Sequence, residues 1–247
     1  MNFFSLFKRK IIYSLKKKHL IDHDGINLKS LDDLFHHYGS DKANFFIKKN
    51  SMGHGFSKFY EKKLENLKDK KINILEIGSF SGASAAAFVK YLPNARVVCL
   101  DINISNFAFK SKKIHVFGVD INNKTKISKI FKTLLTSYQI GKFDIIIDDG
   151  SHNLSDIINA IKLFFNYLID GGLYVIEDYK HPNYYKYNRN INHILIDEIL
   201  NNIENKKKFN SNILNENDQN KLFKLIKKVE IFRGNLKDSD ICFIEKK

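Results

Sequence analysis

Two pairs of adjacent acids and a histidine carry the strongest chemical signal in the sequence. The stretch FDIIIDDGSH ends in Asp148, Asp149 and His152, and the later stretch LYVIED ends in Glu177 and Asp178. Four carboxylates at two neighbouring strand ends would repel one another unless a cation or positive side chains lay between them. Oxygen ligands of this kind suit Mg²⁺ or another hard divalent ion. Adjacent strand residues point to opposite sides, so we expect different roles for Asp148 and Asp149.

A second motif lies earlier in the chain, in the stretch ILEIGSFSG. It contains Glu76, Gly78 and Gly82, and Asp101 ends the next apolar run, ARVVCLD. The glycine spacing differs from G-x-G-x-x-G, in which the glycines and helix amides cradle a pyrophosphate. An acid two residues before the first glycine would repel a pyrophosphate, whereas beside the ammonium of an amino acid it would be favourable. A carboxylate at Asp101 can accept both ribose hydroxyls of an adenosine.

The pattern E-x-G-x-x-x-G, with an acid closing the next strand, is typical of class I methyltransferases that bind S-adenosylmethionine. We therefore predict this cofactor and not NAD. Asp120 closes a third apolar run and fits the same template, facing the adenine amino group, although a single Asp after a strand also commonly caps a turn. The residues predicted from this pattern to bind the cofactor are Glu76, Gly78, Ser79, Ser81, Gly82, Asp101, Ile102, Asp120 and Ile121.

Apolar runs and helical segments alternate after residue 70. The runs predicted as strands are INILEIG, ARVVCLD, KIHVFGVD, FDIIIDDG and LYVIED, and IINAIKLFFNYLIDGG is predicted as a helix stopped by glycines. Strands without polar alternation, separated by helices, indicate a parallel sheet covered on both faces. The chain then predicts a helix and two strands that pair antiparallel. We predict an α/β, doubly wound, Rossmann-like, mostly parallel sheet with an antiparallel terminal strand pair and an N-terminal helical extension.

The domain division follows from this change of pattern. We predict residues 1–70 as a helical extension or lid and residues 71–247 as the Rossmann-like domain. The first twenty residues have helical spacing, and Lys8, Arg9 and Lys10 interrupt the apolar run that a signal peptide needs. We expect this helix to pack on the body or on a second subunit, with a membrane surface as the alternative.

Composition limits the classes of partner. The chain has 41 Lys+Arg and 27 Asp+Glu, a net charge of +14, and no apolar run approaches membrane-spanning length. The charge is consistent with a solvated lysine surface, or with an anionic partner such as a nucleotide-linked substrate, nucleic acid or an acidic membrane. Two cysteines exclude a disulfide scaffold and suit a reducing cytoplasm. We expect a cytoplasmic protein that forms a homo-oligomer.

Several motifs together make the sequence resemble a known family. YGSDK and HGFSKFYE within 38–61, ILEIGSFSGAS, the strand-ending Asp101, FDIIIDDGSH and GGLYVIED occur in this order in the macrocin- and mycinamicin-type sugar O-methyltransferases. The resemblance covers residues 31–180 and implies metal-dependent transfer of a methyl group to a sugar hydroxyl. The family usually carries a Tyr or Thr near Phe56, which puts the lid's substrate contacts in doubt.

The resemblance also implies roles for individual residues. It makes Asp149, Glu177 and Asp178 ligands of Mg²⁺ or another divalent ion, His152 the general base beside Asp149, and Asp148 the residue facing the methionine part of the cofactor. His54 and Tyr60 fall in a segment that tends to cover the active site, and the glycines beside His54 suggest a mobile segment that exposes it.

The favoured function is an O-methyltransferase acting on a sugar, with an anionic nucleotide-sugar as the acceptor, for surface polysaccharide or a glycosylated metabolite. A nucleic-acid methyltransferase is one alternative, although the [ND]-P-P-[YFW] loop of amino-group methylation is absent. A non-catalytic module that binds S-adenosylmethionine is the other. Acceptor specificity is expected to come from residues 183–220. Two interpretations are equally open there, an exposed helix face or stacking and pairing with a nucleotide diphosphate by Tyr184, Tyr185, Lys186, Tyr187 and Arg189.

Overall fold

A computed structural model describes residues 3–180 and 194–247. The chain forms two compact units, Met1–Gly141 and Lys142–Lys247. The helices described are α1 (Phe3–Leu15), α2 (Leu31–Tyr38), α3 (Ser57–Leu64), α4 (Ala83–Tyr91), α5 (Lys124–Tyr138), α6 (Leu154–Phe164), α7 (Ile196–Glu204) and α8 (Glu216–Leu225). The strands described are β1 (His19–Leu20), β2 (Phe45–Phe46), β3 (Ser51–Met52), β4 (Asn73–Ile77), β5 (Arg96–Asp101), β6 (Phe109–Lys110), β7 (Ile114–Gly118), β8 (Phe143–Asp148), β9 (Leu168–Glu177), β10 (Ile226–Arg233) and β11 (Asp240–Lys246).

Three parallel strands form the centre of the first unit. β4 pairs with β5, and β5 pairs with β7, so that Ile77 lies opposite Leu100 and Asp101 opposite Gly118. The middle residues of β4 and β5 are buried irrespective of the face they point to, as expected for parallel strands covered on both sides. This register brings the carboxyl ends of β4 and β5 together, where the motif residues begin.

The residues before β4 belong to the same compact unit. β1 pairs in parallel with β6, and β2 pairs with β3 in a short antiparallel hairpin. Helix α2 packs against α4 through Phe35, whose ring lies 5.4 Å from that of Phe88, and Tyr60 of α3 lies 5.3 Å from the same ring. The division at residue 70 stays a prediction, but α1 contacts β7 and α2 contacts α4, so both helices pack against the core of this unit.

The second unit contains the predicted antiparallel strand pair. β8 and β9 are parallel, β11 is antiparallel to β9, and β10 is antiparallel to β11. Asp148 lies opposite Ile176, so the two acidic strand ends are neighbours, as predicted. The core strand residues of this unit are buried, including Ile146, Val175 and Cys242.

One predicted element is wrong in its boundary. The helix predicted to continue until the glycines at 171 and 172 ends at Phe164, a short 3₁₀ turn covers Phe165–Tyr167, and β9 begins at Leu168. Leu168 pairs with Phe143, and the register shifts before Ile145 pairs with Leu173. Gly171, whose φ is 75°, lies in the part of β9 where the pairing register shifts. Pairing with β8 outweighs the local helical pattern, which sequence periodicity cannot anticipate.

No helix in residues 3–180 and 194–247 has both the length and the apolar character needed to cross a membrane.

Candidate functional sites

The loop after β4, residues 78–82, is called the Gly78 loop below. Left-handed backbone occurs at Gly78 (φ 84°), Phe80 (42°) and Gly82 (77°). A Cβ on Gly82 would lie 2.3 Å from the ring of Phe107, closer than any packing allows. Gly82 is therefore required both by its backbone conformation and by its contact with Phe107. From the sequence, the glycines are instead expected to let the backbone approach a ligand closely.

Asp101 is tied to the Gly78 loop by the backbone. The Phe80 N–H donates to Asp101 Oδ2 at 2.7 Å, and the Asn103 N–H donates to Oδ1 at 2.5 Å. Each carboxylate oxygen has two lone pairs, so each can accept one further hydrogen bond. The side chain is only partly buried. These contacts fix the orientation of the carboxylate and leave it able to accept two hydroxyls.

Glu76 is completely buried at the penultimate position of β4. The Ser84 hydroxyl donates to its Oε1, and the Cys99 thiol lies 4.0 Å from Oε2. Burial, followed by the charge of Glu76, raises the pKa of the Cys99 thiol well above its ordinary value. Glu76 thus links β4 to the first turn of α4, and the structure does not present it at the surface. Its predicted contact with the ammonium group stays a prediction.

Ser79 and Ser81 have different surroundings within the loop. Ser79 is buried, and its hydroxyl donates to the Glu76 carbonyl at 3.3 Å. Ser81 accepts a hydrogen bond from Lys48 Nζ at 3.2 Å. Lys48 lies in a 3₁₀ turn after β2, and nothing in the neighbouring sequence distinguishes it from the other lysines. The ring of Phe80 is exposed in the same loop as Ser81.

The other predicted cofactor residues of the first unit lie after β5 and β7. Ile102 is exposed and directly follows Asp101. Asp120 Oδ1 accepts the Asn122 N–H at 3.0 Å, which is the turn-capping role that the sequence left open. Ile121 is partly buried beside it. The Asp120 hydrogen bond does not exclude a ligand, and the binding roles of Ile102, Asp120 and Ile121 stay predictions.

The second unit brings together three of the predicted residues, here called the acid–histidine cluster: Asp149, His152 and Asp178. Each offers a possible ligand atom, and these atoms lie within 4.8 Å of one another. His152 Nε2 is 3.9 Å from Asp149 Oδ1, and both side chains are partly covered, whereas Asp178 is buried. Two carboxylates and an imidazole at this separation form a donor set that suits a divalent metal ion.

The backbone of the cluster is held by its surroundings. His152 (φ 55°) and Asp178 (φ 49°) both adopt left-handed backbone, which is uncommon for residues other than glycine. The Asp178 N–H donates to the Asp240 carbonyl at 2.9 Å, and the Asp240 carboxylate pairs with Lys180 at 3.1 Å. His152 directly precedes Asn153, the N-cap of α6, so the start of that helix fixes its position.

Glu177, the third predicted metal ligand, is buried as the last residue of β9 and does not belong to the group within 4.8 Å. Its ligand role stays a prediction.

The expected exposure of His54 is wrong. Its side chain is only 16% exposed, and Nε2 lies 4.0 Å from Asp41 Oδ2. Tyr60 is buried and packs against aromatic rings.

Asp148 is buried, and it directly precedes Asp149 of the acid–histidine cluster in the chain. Its Oδ1 accepts the Gly150 N–H at 3.3 Å, whereas Oδ2 makes no hydrogen bond within the part of the chain that the structure describes. Burial raises the pKa of Asp148 to about 8, the Gly150 hydrogen bond opposes this shift, and the charges of Asp149 and Asp156 add to it. The predicted acceptor residues Tyr184, Tyr185, Lys186, Tyr187 and Arg189 lie outside the described residues.

Comparison with known proteins shows what this arrangement resembles. Residues 75–179 match the model of a family described as a methyltransferase domain. The structure has a TM-score of 0.67 against the MycE methyltransferase from the mycinamycin biosynthetic pathway in complex with Mg and SAH, at 20% sequence identity, covering 89% of this chain and 55% of that one. Residues 75–179 are therefore similar to a methyltransferase domain, and the fold is the predicted Rossmann-like, mostly parallel fold with antiparallel strands.

Curated relatives make the resemblance more particular. The chain is 27% identical over 143 residues to the mycinamicin VI 2''-O-methyltransferase of Micromonospora griseorubida, covering 55% of this chain and 34% of that protein. It is 31% identical over 134 residues to the L-olivosyl-oleandolide 3-O-methyltransferase of Streptomyces antibioticus, covering 51% of this chain and 32% of that protein. The matched region spans about a third of these relatives. The predicted resemblance to sugar O-methyltransferases is confirmed.

Proposed function

We propose that this protein transfers a methyl group from S-adenosylmethionine to a sugar hydroxyl. The observation that carries the proposal is the acid–histidine cluster at the ends of β8 and β9, on a chain whose relatives are named as O-methyltransferases of glycosylated compounds. A sugar hydroxyl must lose its proton as its oxygen attacks the sulfonium methyl. The cluster provides groups for both tasks, namely holding the hydroxyl and accepting the proton.

The Gly78 loop and Asp101 would hold the cofactor. Asp101 has the acceptor capacity to bind two ribose hydroxyls while keeping its two backbone hydrogen bonds. Asp148 Oδ2 is buried and makes no hydrogen bond among the described residues. The ammonium of the methionine part would lower the raised pKa of Asp148 and donate to the carboxylate that this favours. The exposed Ile102 would provide an apolar surface beside the adenosine.

The two carboxylates of the cluster, Asp149 and Asp178, fit a divalent ion, and Mg²⁺ is the ion we propose. When bound, such an ion lowers the pKa of a coordinated hydroxyl and fixes its position. Asp149 and Asp178 would hold it, with Glu177 as the further ligand that the family resemblance implies.

His152 is the proposed general base. A neutral imidazole can accept a proton near neutral pH, and Asp149, 3.9 Å away, would stabilise the imidazolium that forms. In the reaction the acceptor oxygen forms a bond to the methyl carbon, the carbon–sulfur bond breaks, and the hydroxyl proton goes to His152. The left-handed backbone at His152 fixes where this imidazole can reach.

The acceptor is proposed to be anionic, with a nucleotide-linked sugar as the favoured class and surface polysaccharide or a glycosylated metabolite as the product's destination. The net charge of +14 supports this, since a basic surface attracts a diphosphate. The homo-oligomer expected from the sequence is also a proposal, which light scattering tests.

The deciding experiment supplies methyl-labelled S-adenosylmethionine and a panel of nucleotide-sugars beside the corresponding neutral glycosides. We expect label in a nucleotide-sugar, with an apparent affinity that falls as salt rises because screening weakens the attraction. Equal methylation of neutral glycosides without salt dependence would show that the basic surface reflects composition only. No label in any sugar, with label in a nucleic acid, would overturn the proposal.

A further inference from the structure

One side of helix α1 is attached to the rest of the first unit, by apolar contacts and by hydrogen bonds from basic side chains. Leu6 is buried, and Tyr13 packs edge-on against Phe107 at 6.3 Å. Arg9 donates to the Ile102 carbonyl, and Lys16 donates to the carbonyls of Ser105 and Asn106. These residues are spaced three and four apart, so they form one side of the helix. That side attaches α1 to the segment following Asp101.

The opposite side is apolar and exposed, and is called the outer face of α1. It consists of Phe4, Phe7, Ile11 and Leu15, again three and four residues apart, with exposed fractions of 76%, 56%, 44% and 81%. A soluble surface helix normally turns charged residues outward and buries its apolar stripe. A contiguous row of large apolar side chains on the outside marks an interaction surface.

Charge identifies what this face would contact. Residues 1–20 contain six Lys or Arg and no Asp or Glu. Lys8 and Lys10 are exposed and lie on either side of the outer face, and Lys17 is exposed two residues after the helix ends. Pairing the outer faces of two copies about a two-fold axis would bring these positive charges against one another. An anionic lipid surface offers both an apolar phase for the rings and phosphates for the lysines.

We infer that the outer face of α1 binds anionic membrane lipid, placing the protein on a membrane surface without crossing it. The four apolar side chains enter the boundary between headgroups and acyl chains, and the flanking lysines contact lipid phosphates. The covered face keeps α1 fixed to the first unit while the outer face is occupied. This inference does not depend on the methyltransferase proposal.

The test measures co-sedimentation of the whole protein with vesicles. Phosphatidylcholine vesicles containing phosphatidylglycerol should bind it about tenfold more strongly than phosphatidylcholine alone, and high salt should weaken the binding. Leu15→Glu should reduce binding about tenfold, because it removes an apolar contact and adds a negative charge. Leu135→Glu on α5, which alters a leucine exposed to 59%, is the matched control and should bind like the wild type.

Three outcomes would overturn the inference. One is no preference for the anionic vesicles, and another is an equal loss of binding in both leucine variants. The third is no vesicle binding together with a dimer that Leu15→Glu dissociates, measured by sedimentation velocity, which would assign the outer face to a second copy of the chain. Both substituted side chains are exposed, so circular dichroism should show both variants folded.

Discussion

The Gly78 loop and the acid–histidine cluster both carry carboxylates at strand ends, yet they balance the negative charge in different ways. Asp101 is met by two backbone N–H groups, from Phe80 and Asn103, which are fixed parts of the fold. In the cluster, one carboxylate oxygen of Asp149, one of Asp178 and one ring nitrogen of His152 all lie within 4.8 Å of one another. Backbone donors stabilise a carboxylate at any metal concentration, whereas two close carboxylates favour a bound cation. A divalent ion should therefore matter to one region only.

The largest expected effect is that of metal removal. Chelation with EDTA should abolish methyl transfer, because the acceptor hydroxyl then lacks the cation that lowers its pKa. Affinity for S-adenosylmethionine, measured by calorimetry, should change little, since the Gly78 loop is held by backbone hydrogen bonds. Mg²⁺ should restore turnover. Full activity after exhaustive chelation would remove the metal from the proposal while leaving the methyltransferase assignment in place.

Loss of the imidazole should be the next largest effect. His152→Ala should lower kcat by about 10²–10⁴-fold, the usual range for a positioned general base. Cofactor affinity should be unchanged, because His152 belongs to the cluster and not to the Gly78 loop. His23→Ala, which removes an exposed histidine of the first unit, is the control and should leave kcat unaltered. A wild-type rate in His152→Ala would contradict the assignment.

The two regions also differ in how far the sequence predicts them. The Gly78 loop and the cluster both follow from apolar runs ending in acids, because the parallel strands within each unit bring their carboxyl ends together. What the sequence missed depends on pairing across long distances, such as β1 with β6 and the early start of β9 against β8. Adjacent residues gave no sign that Asp178 would join the cluster and Glu177 would not, since this depends on the left-handed backbone at Asp178.

A third prediction concerns the cofactor side of the comparison. Asp101→Ala should weaken S-adenosylmethionine binding by about 1.5–3 kcal/mol, the usual range for hydrogen bonds to a charged group. Binding of Mg²⁺ to the cluster should not change. Thermal unfolding of the variant is needed as well, because the Phe80 and Asn103 N–H groups lose their acceptor. If the variant kept wild-type affinity for the cofactor, or the wild type bound NAD instead, the Gly78 loop would not be the predicted site.

The smallest expected effect concerns Asp24, a carboxylate that forms an ion pair with a lysine side chain of the same protein. Asp24 Oδ1 lies 2.6 Å from Lys90 Nζ, and Tyr38 donates to Oδ2 at 2.8 Å. Burial would raise the pKa of Asp24, but the hydrogen bonds from Lys90, Tyr38 and the Ile26 N–H together lower it below the ordinary value of 3.8. A depressed pKa in the folded state means that the stabilisation is present above pH 3.8 and is lost as the pH falls through the folded-state pKa.

Asp24→Asn should therefore reduce the free energy of unfolding by about 1 kcal/mol at neutral pH, and the difference from the wild type should shrink once the pH falls below about 4. Urea denaturation at a series of pH values measures it, with the exposed Asp69→Asn as a control expected to show little change at any pH. Mg²⁺ should not alter the Asp24 effect, because Lys90 already provides the positive charge. A magnesium-dependent effect at Asp24 would mean that the ion acts on carboxylates of this protein generally, and the contrast between the Gly78 loop and the acid–histidine cluster would no longer identify a metal site.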